Sequence, residues 1–110
     1  MKHYVGDRTP DGCEVMVLDM NHEGGGYPLD PRFDLRRHSP DGFEFGFSGS
    51  GPSQLSLAIL ADVLGDDKMA DKLHIDFKNK VISRLDGNTF SLSEEDVRLA
   101  VAELAAGRKR

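Results

Sequence analysis

A chain of 110 residues has room for one hydrophobic core, and its nineteen acidic and fourteen basic side chains give it a net charge of −5. That balance argues against a nonspecific grip on nucleic acid and permits an acidic surface that engages basic proteins. The single cysteine, Cys13, excludes an internal disulfide and fits a reducing compartment; no apolar run reaches the length of a membrane span or a secretory signal, so a cytoplasmic location is expected.

His3-Tyr4-Val5-Gly6 reads as a short strand, and Pro10-Asp11-Gly12 is a strong turn signal. Residues 13–19 then supply the returning strand, with Val15 and Val17 on one face and Met16 and Leu18 on the other. Residues 21–28 contain Gly24-Gly25-Gly26, which costs too much conformational entropy for regular structure, so a mobile loop is expected. The next segment carries Arg32, Arg36 and Arg37 around Phe33 and Leu35, a basic cluster read as a solvated face. Ser39-Pro40-Asp41-Gly42 is a second turn.

Phe43, Phe45 and Phe47 recur with period two and predict a strand that buries three rings on one face. Gly49 and Gly51 allow backbone angles closed to other residues, and Pro52 suits the first position of a helix. From Gln54 onward, Leu55, Leu57, Ile59, Leu60, Val63 and Leu64 cover about 200° of a helical wheel, far more than an amphipathic stripe. This helix should be central, ending at Gly65, with Gln54, Ala58, Ala61 and Asp62 on its remaining face.

Asp66 or Asp67 caps a second helix through about Leu85, with Lys78, Lys80 and Arg84 near its end as the macrodipole prefers. Met69, Leu73, Phe77 and Val81 form its core stripe, which leaves Ile75 and Ile82 on the opposite side. A last extended segment spans residues 89–92. Ser93 caps a third helix with Asp96 in the capping-box position, Val97, Val101 and Leu104 as its apolar face, and Gly107 as its stop. The expected whole is a single small α+β domain over residues 1–107, a short antiparallel sheet of three or four strands packed against three helices, followed by a basic tail at 108–110.

Two candidate sites follow. The loop Ser48-Gly49-Ser50-Gly51, with Gln54, could hold a small anion or nucleotide at a helix N-terminus, although it lacks a Walker ending and the full dinucleotide spacing, so a structural turn outweighs it. Asp66, Asp67, Asp71, Ile75, Lys78 and Ile82 would make a protein interface on the second helix, for a homodimer or another target; burial of Ile75 and Ile82 under the third helix or the sheet is the competing reading and slightly outweighs it. His3, His22, His38 and His74 have no paired ligand spacing, and Cys13 has neither a Cys-x-x-Cys partner nor a cationic sequence neighbour. No metal, cofactor or catalytic residue is expected.

The run Gly42-Phe43-Glu44-Phe45-Gly46-Phe47-Ser48-Gly49-Ser50-Gly51-Pro52-Ser53-Gln54-Leu55 resembles a family of small uncharacterised bacterial proteins also met on phage and plasmid genomes. Tyr4-Val5-Gly6-Asp7-Arg8, His38-Ser39-Pro40 and Phe77-Lys78 are similar to weaker landmarks of the same family. The resemblance implies a single-domain build and a mobile-element setting, without an activity. Together with the acidic charge it leads to an expected non-enzymatic protein-interaction module, one version being a counter-defence inhibitor of a host nuclease complex; an anion-binding module using residues 48–51 is the alternative.

Overall fold

The computed structural model describes residues 1–108 and is an α+β fold of four antiparallel strands and three helices. The strands are β1 (Lys2–Thr9), β2 (Gly12–Asp19), β3 (Gly26–Pro28) and β4 (Thr89–Ser93), in the sheet order β3-β2-β1-β4. The helices are α1 (Ser50–Leu64), α2 (Asp67–Lys80) and α3 (Glu94–Arg108).

The first hairpin forms as the sequence demands. Thr9 pairs with Gly12 around Pro10-Asp11, and Gly12 holds φ 133°, a region that L side chains rarely adopt. Val15 and Val17 face the core and Met16 and Leu18 face outward, following the alternation of a half-buried strand. The glycine-rich segment departs from expectation. Gly26-Tyr27-Pro28 is an edge strand paired with Leu18, Val17 and Met16, and a side chain at Gly26 would lie 2.3 Å from the Val17 carbonyl oxygen. Glycine there permits close strand approach, and Pro28 is tolerated because an edge strand can spare a donor.

The phenylalanine run is not a strand. Only Phe43 makes a bridge, to Cys13, and Phe45 is fully buried with its ring edge-on to Phe90, while Phe47 is half exposed. The physical reason lies between them: Gly46 takes φ 87° and donates its N–H to the Ile82 carbonyl at 3.0 Å, turning the chain so that Phe47 loses the face that Phe45 occupies. Helix α1 opens earlier than expected, with Gly49 at its N-cap and Pro52 as its third residue.

Twelve of the fifteen residues of α1 are buried, so it is the centre of the molecule. It lies between the inner sheet face, where Tyr4, Val15, Val17 and Phe90 stand, and helix α2 with Leu73 and Phe77. The small-residue strip on the remaining face of α1 is covered too, since Gln54, Ala58 and Ala61 are buried. Asp66 caps α2 by accepting from Met69 N–H at 3.1 Å. The helix ends at Lys80, and Ile82–Arg84 forms a separate 3-10 turn, which turns Ile82 inward. Met69, assigned to the core stripe, is 40 % exposed.

Helix α3 carries the expected capping box: Asp96 N–H donates to Ser93 Oγ at 3.0 Å and Ser93 N–H to Asp96 at 3.1 Å. It runs through Gly107 to Arg108 instead of stopping at the glycine; the last two residues of the expected basic tail lie outside the described residues.

Candidate interaction surface

The glycine loop does not assemble an anion site. Neither Gly49 nor Gly51 lies in the left-handed region of φ; Gly49 is extended, and Gly51 is small because Glu44 packs against it, 2.7 Å from where a Cβ would sit. The stem of Glu44 thus fills the space beside the helix N-terminus, and its carboxylate is held by Arg8. Ser48 and Ser50 are exposed, and Gln54 is fully buried, so they do not converge. The Gln54 amide is a hub for the chain that crosses it. Its oxygen accepts from His38 N–H at 2.7 Å and Ser39 N–H at 3.2 Å, and its nitrogen donates to the carbonyls of Pro31 at 2.6 Å and Arg36 at 3.0 Å.

Residues 31–39 are also fastened to α2, and this changes the meaning of the acidic helix. Arg32 pairs with Asp67 at 2.8 Å, Arg36 pairs with Asp71, and His38 Nε2 lies 2.8 Å from His74 Nε2. Asp67, Asp71 and His74 share one helix face because they recur at spacings of four and three. The cluster Arg32 and Arg36, read as a solvated face, is therefore the internal countercharge of α2. Asp66 is occupied as a cap, and Ile82 is buried in the core, a correction to its reading as an interface residue. Ile75 is 41 % exposed but stands without Ile82 beside it.

A second cluster joins the sheet to α1. Asp62, the only charged residue of α1, accepts from Tyr4 OH, from Tyr27 OH at 2.7 Å and from Lys2 Nζ at 3.1 Å. Burial, followed by the hydrogen bond to Asp62, raises the Tyr4 pKa; the same two causes prevail at Tyr27 over the neighbouring Lys2 ammonium. A single carboxylate inside an otherwise uncharged helix is the sequence signal that could have exposed this cluster.

The outer face of the sheet is different in kind. Leu18 is 45 % and Met16 39 % exposed, and Met20, just past β2, is 96 % exposed. The register makes them neighbours: Val5 sits opposite Met16, His3 opposite Leu18, and Pro28 flanks Met16 on β3. Next along the same face Asp7 sits directly opposite Glu14. Among the described residues no lysine or arginine occupies an outward position of the four strands, because Lys2 and Arg8 alternate inward, where Lys2 meets Asp62 and Arg8 meets Glu44 at 3.0 Å. A groove of ≈ 370 Å³ continues from this face between Glu14, Met16, Pro28 and Phe43.

Cys13 borders that groove but is a poor nucleophile. Burial and the nearby Glu44 push its thiol up to about 11, against a smaller opposing effect of Arg8, the cation that its sequence neighbours do not reveal. Among the described residues no three His, Cys, Asp or Glu side chains gather as metal ligands, and no helix is long and apolar enough to cross a membrane.

Three helices on one face of an antiparallel sheet, with the other face exposed and partly apolar, define a two-layer α+β protein. Residues 4–103 match the Family of unknown function (DUF6166), and the chain belongs to that family. No curated protein and no solved structure matches the chain.

Proposed function

We propose that this protein is a non-enzymatic protein-interaction module that docks through the outer face of its sheet. The observation that carries the reading is the contiguity of Val5, Met16 and Leu18 on adjacent strands. Single exposed apolar residues are ordinary on any surface; a cross-strand group continuing into Met20 and a groove is the pattern of a docking site. Methionine suits such a surface because its unbranched thioether adapts to the partner.

The chemically capable side chains support the same reading, since they are engaged within the chain. Asp62 serves three donors, both ring nitrogens of His74 have partners, and the Cys13 thiol is held in its neutral form. The resemblance of residues 42–55 to proteins of phage and plasmid genomes supports a partner in a bacterial host, and inhibition of a host nuclease complex is one version of that role. The acids of α2 contribute little to it, because Arg32 and Arg36 neutralise Asp67 and Asp71.

Affinity capture from the native host tests the proposal. A host protein should be retained by the natural chain and lost with the Met16→Ser, Leu18→Ser double variant, while Ile75→Ser and Leu99→Ser, exposed elsewhere, retain it. Equal capture by all four chains would remove the sheet face as the docking site.

A further inference from the structure

We infer that the partner received by the sheet face is basic: an extended segment of another protein that lays an apolar side chain on Val5, Met16 and Leu18 and a lysine or arginine between Asp7 and Glu14. The inference rests on the docking role of this face and adds the chemistry of what docks.

Asp7 and Glu14 are both exposed and occupy directly opposed positions on β1 and β2, where Cβ atoms stand about 4.5–5.5 Å apart. Like charges at such a position destabilise a sheet, and a cation beside them would relieve the repulsion. None stands here. The outward neighbours are Val5 and Met16 on one side, Thr9 and Gly12 on the other, and Thr89 across from Asp7 on β4. Arg8, adjacent to Asp7 in the chain, points to the inner side and is held there by Glu44, by the carbonyls of Phe45 and Gly87, and by Asn88. The helical layer is built the other way, with Asp62, Asp67, Asp71 and Glu103 each paired to a cation of the same chain. Among the described residues, the open face therefore keeps an acidic pair beside its apolar strip with no cation of the chain between them, a place for an external one.

The arrangement selects among occupants. A second copy docked face to face would bring another acidic pair and no lysine or arginine from its strands to the junction, on a chain already at −5. Nucleic acid would set phosphates against the same carboxylates. A basic protein segment answers both halves of the surface. The step from Val5 and Met16 to Asp7 and Glu14 is two residues, roughly 6.8 Å along a strand, so an extended segment with an apolar residue and a cation two positions apart matches it.

Fluorescence anisotropy with the full chain and three labelled synthetic peptides tests this: one repeating Val-Ser-Lys-Ser, which sets valine and lysine two positions apart on one face of an extended chain, one with glutamate for lysine, one with serine for lysine. The valine–lysine peptide should bind saturably and about tenfold more tightly than the other two, with an affinity that falls as salt rises. Asp7→Asn with Glu14→Gln should remove that preference and its salt dependence, whereas Asp67→Asn with Asp71→Asn should keep both. Circular dichroism on each variant confirms that it is folded. Absence of binding, or an unchanged preference in the Asp7, Glu14 variant, would overturn the basic partner. The docking role is read separately: if host capture survives Asp7→Asn with Glu14→Gln but is lost with Met16→Ser and Leu18→Ser, the face docks a partner of another chemistry. Sedimentation showing a dimer that Leu18→Ser dissociates would assign the face to a second copy instead.

Discussion

His38 and His74 meet ring nitrogen to ring nitrogen, Nε2 to Nε2 at 2.8 Å, and this contact fastens residues 31–39 to helix α2. The tautomers follow from the second contact of His74, whose Nδ1 lies 2.6 Å from the Asp71 carbonyl oxygen and must donate to it. His74 Nε2 is then the acceptor and His38 Nε2–H the donor. Burial lowers the pKa of His38, and the neighbouring His74, Arg36 and Lys78 add to this, against the opposing carboxylate of Asp71. The fold thus favours the neutral ring. With a folded value below the ordinary value of about 6.5, the stabilisation is fully present above that pH and is lost as pH falls through the folded value. The melting temperature should therefore drop between pH 7 and pH values near 5, and His38→Gln should flatten that drop. Calorimetry at both pH values checks it; an equal drop in the variant would place the acid sensitivity elsewhere.

Gln54 should be among the least replaceable polar residues of the molecule. Gln54→Leu keeps the approximate volume but removes two acceptor and two donor contacts to the backbone of Pro31, Arg36, His38 and Ser39. Groups left without partners there cost on the order of 1–3 kcal/mol each, tempered where the strand of chain can relax toward water, so a loss of about 3 kcal/mol is expected in urea unfolding. A loss below about 1 kcal/mol would show that residues 31–39 find other partners.

The hairpin, the buried central helix and the capping box of α3 were legible because each depends on residues close in sequence. Val15 and Val17 alternate, α1 is apolar almost all round, and Ser93 and Asp96 are three residues apart. What could not be read depends on contacts between distant segments. Nothing near Phe47 announces that Gly46 will bond to Ile82, and nothing in Asp67 or Asp71 announces Arg32 or Arg36, thirty-five residues away. The same limit hid the sheet face: Met16 and Leu18 were placed opposite the valines, but only the register sets Asp7 against Glu14.

The two glycines at the start of α1 should respond oppositely to alanine. At Gly51 a Cβ would stand 2.7 Å from Glu44 Cβ and 3.2 Å from its backbone nitrogen, so backbone must move, and a cost of about 1–3 kcal/mol is expected. At Gly49 the nearest atom is the edge of Phe47 at 3.1 Å, a half-exposed ring free to shift, and the extended φ of 177° suits any residue. Gly49→Ala should change stability by less than about 0.5 kcal/mol. Paired chemical denaturation of the two variants decides the matter, and similar losses at both sites would mean that the loop, rather than the contact with Glu44, requires glycine.

Asp62→Asn should loosen the edge of the sheet from the central helix. The carboxylate accepts from two hydroxyls and an ammonium, whereas an amide offers one oxygen, no longer carries the charge that holds the Lys2 ammonium, and can keep a second hydroxyl only by reversing that bond. Tyr4 is buried and has no route to water, so its hydroxyl will keep the amide oxygen; Tyr27, only half-buried on the short strand β3, will give up its bond. The expected loss is on the order of 2 kcal/mol in global stability, with faster amide hydrogen exchange at Tyr27 than at Tyr4. Tyr27→Phe should reproduce the local change with a global loss of only about 1 kcal/mol. If Asp62→Asn and Tyr27→Phe proved equally mild, the Lys2 and Tyr4 contacts would contribute nothing beyond burial, and the hold of α1 on the sheet would rest on its apolar face alone.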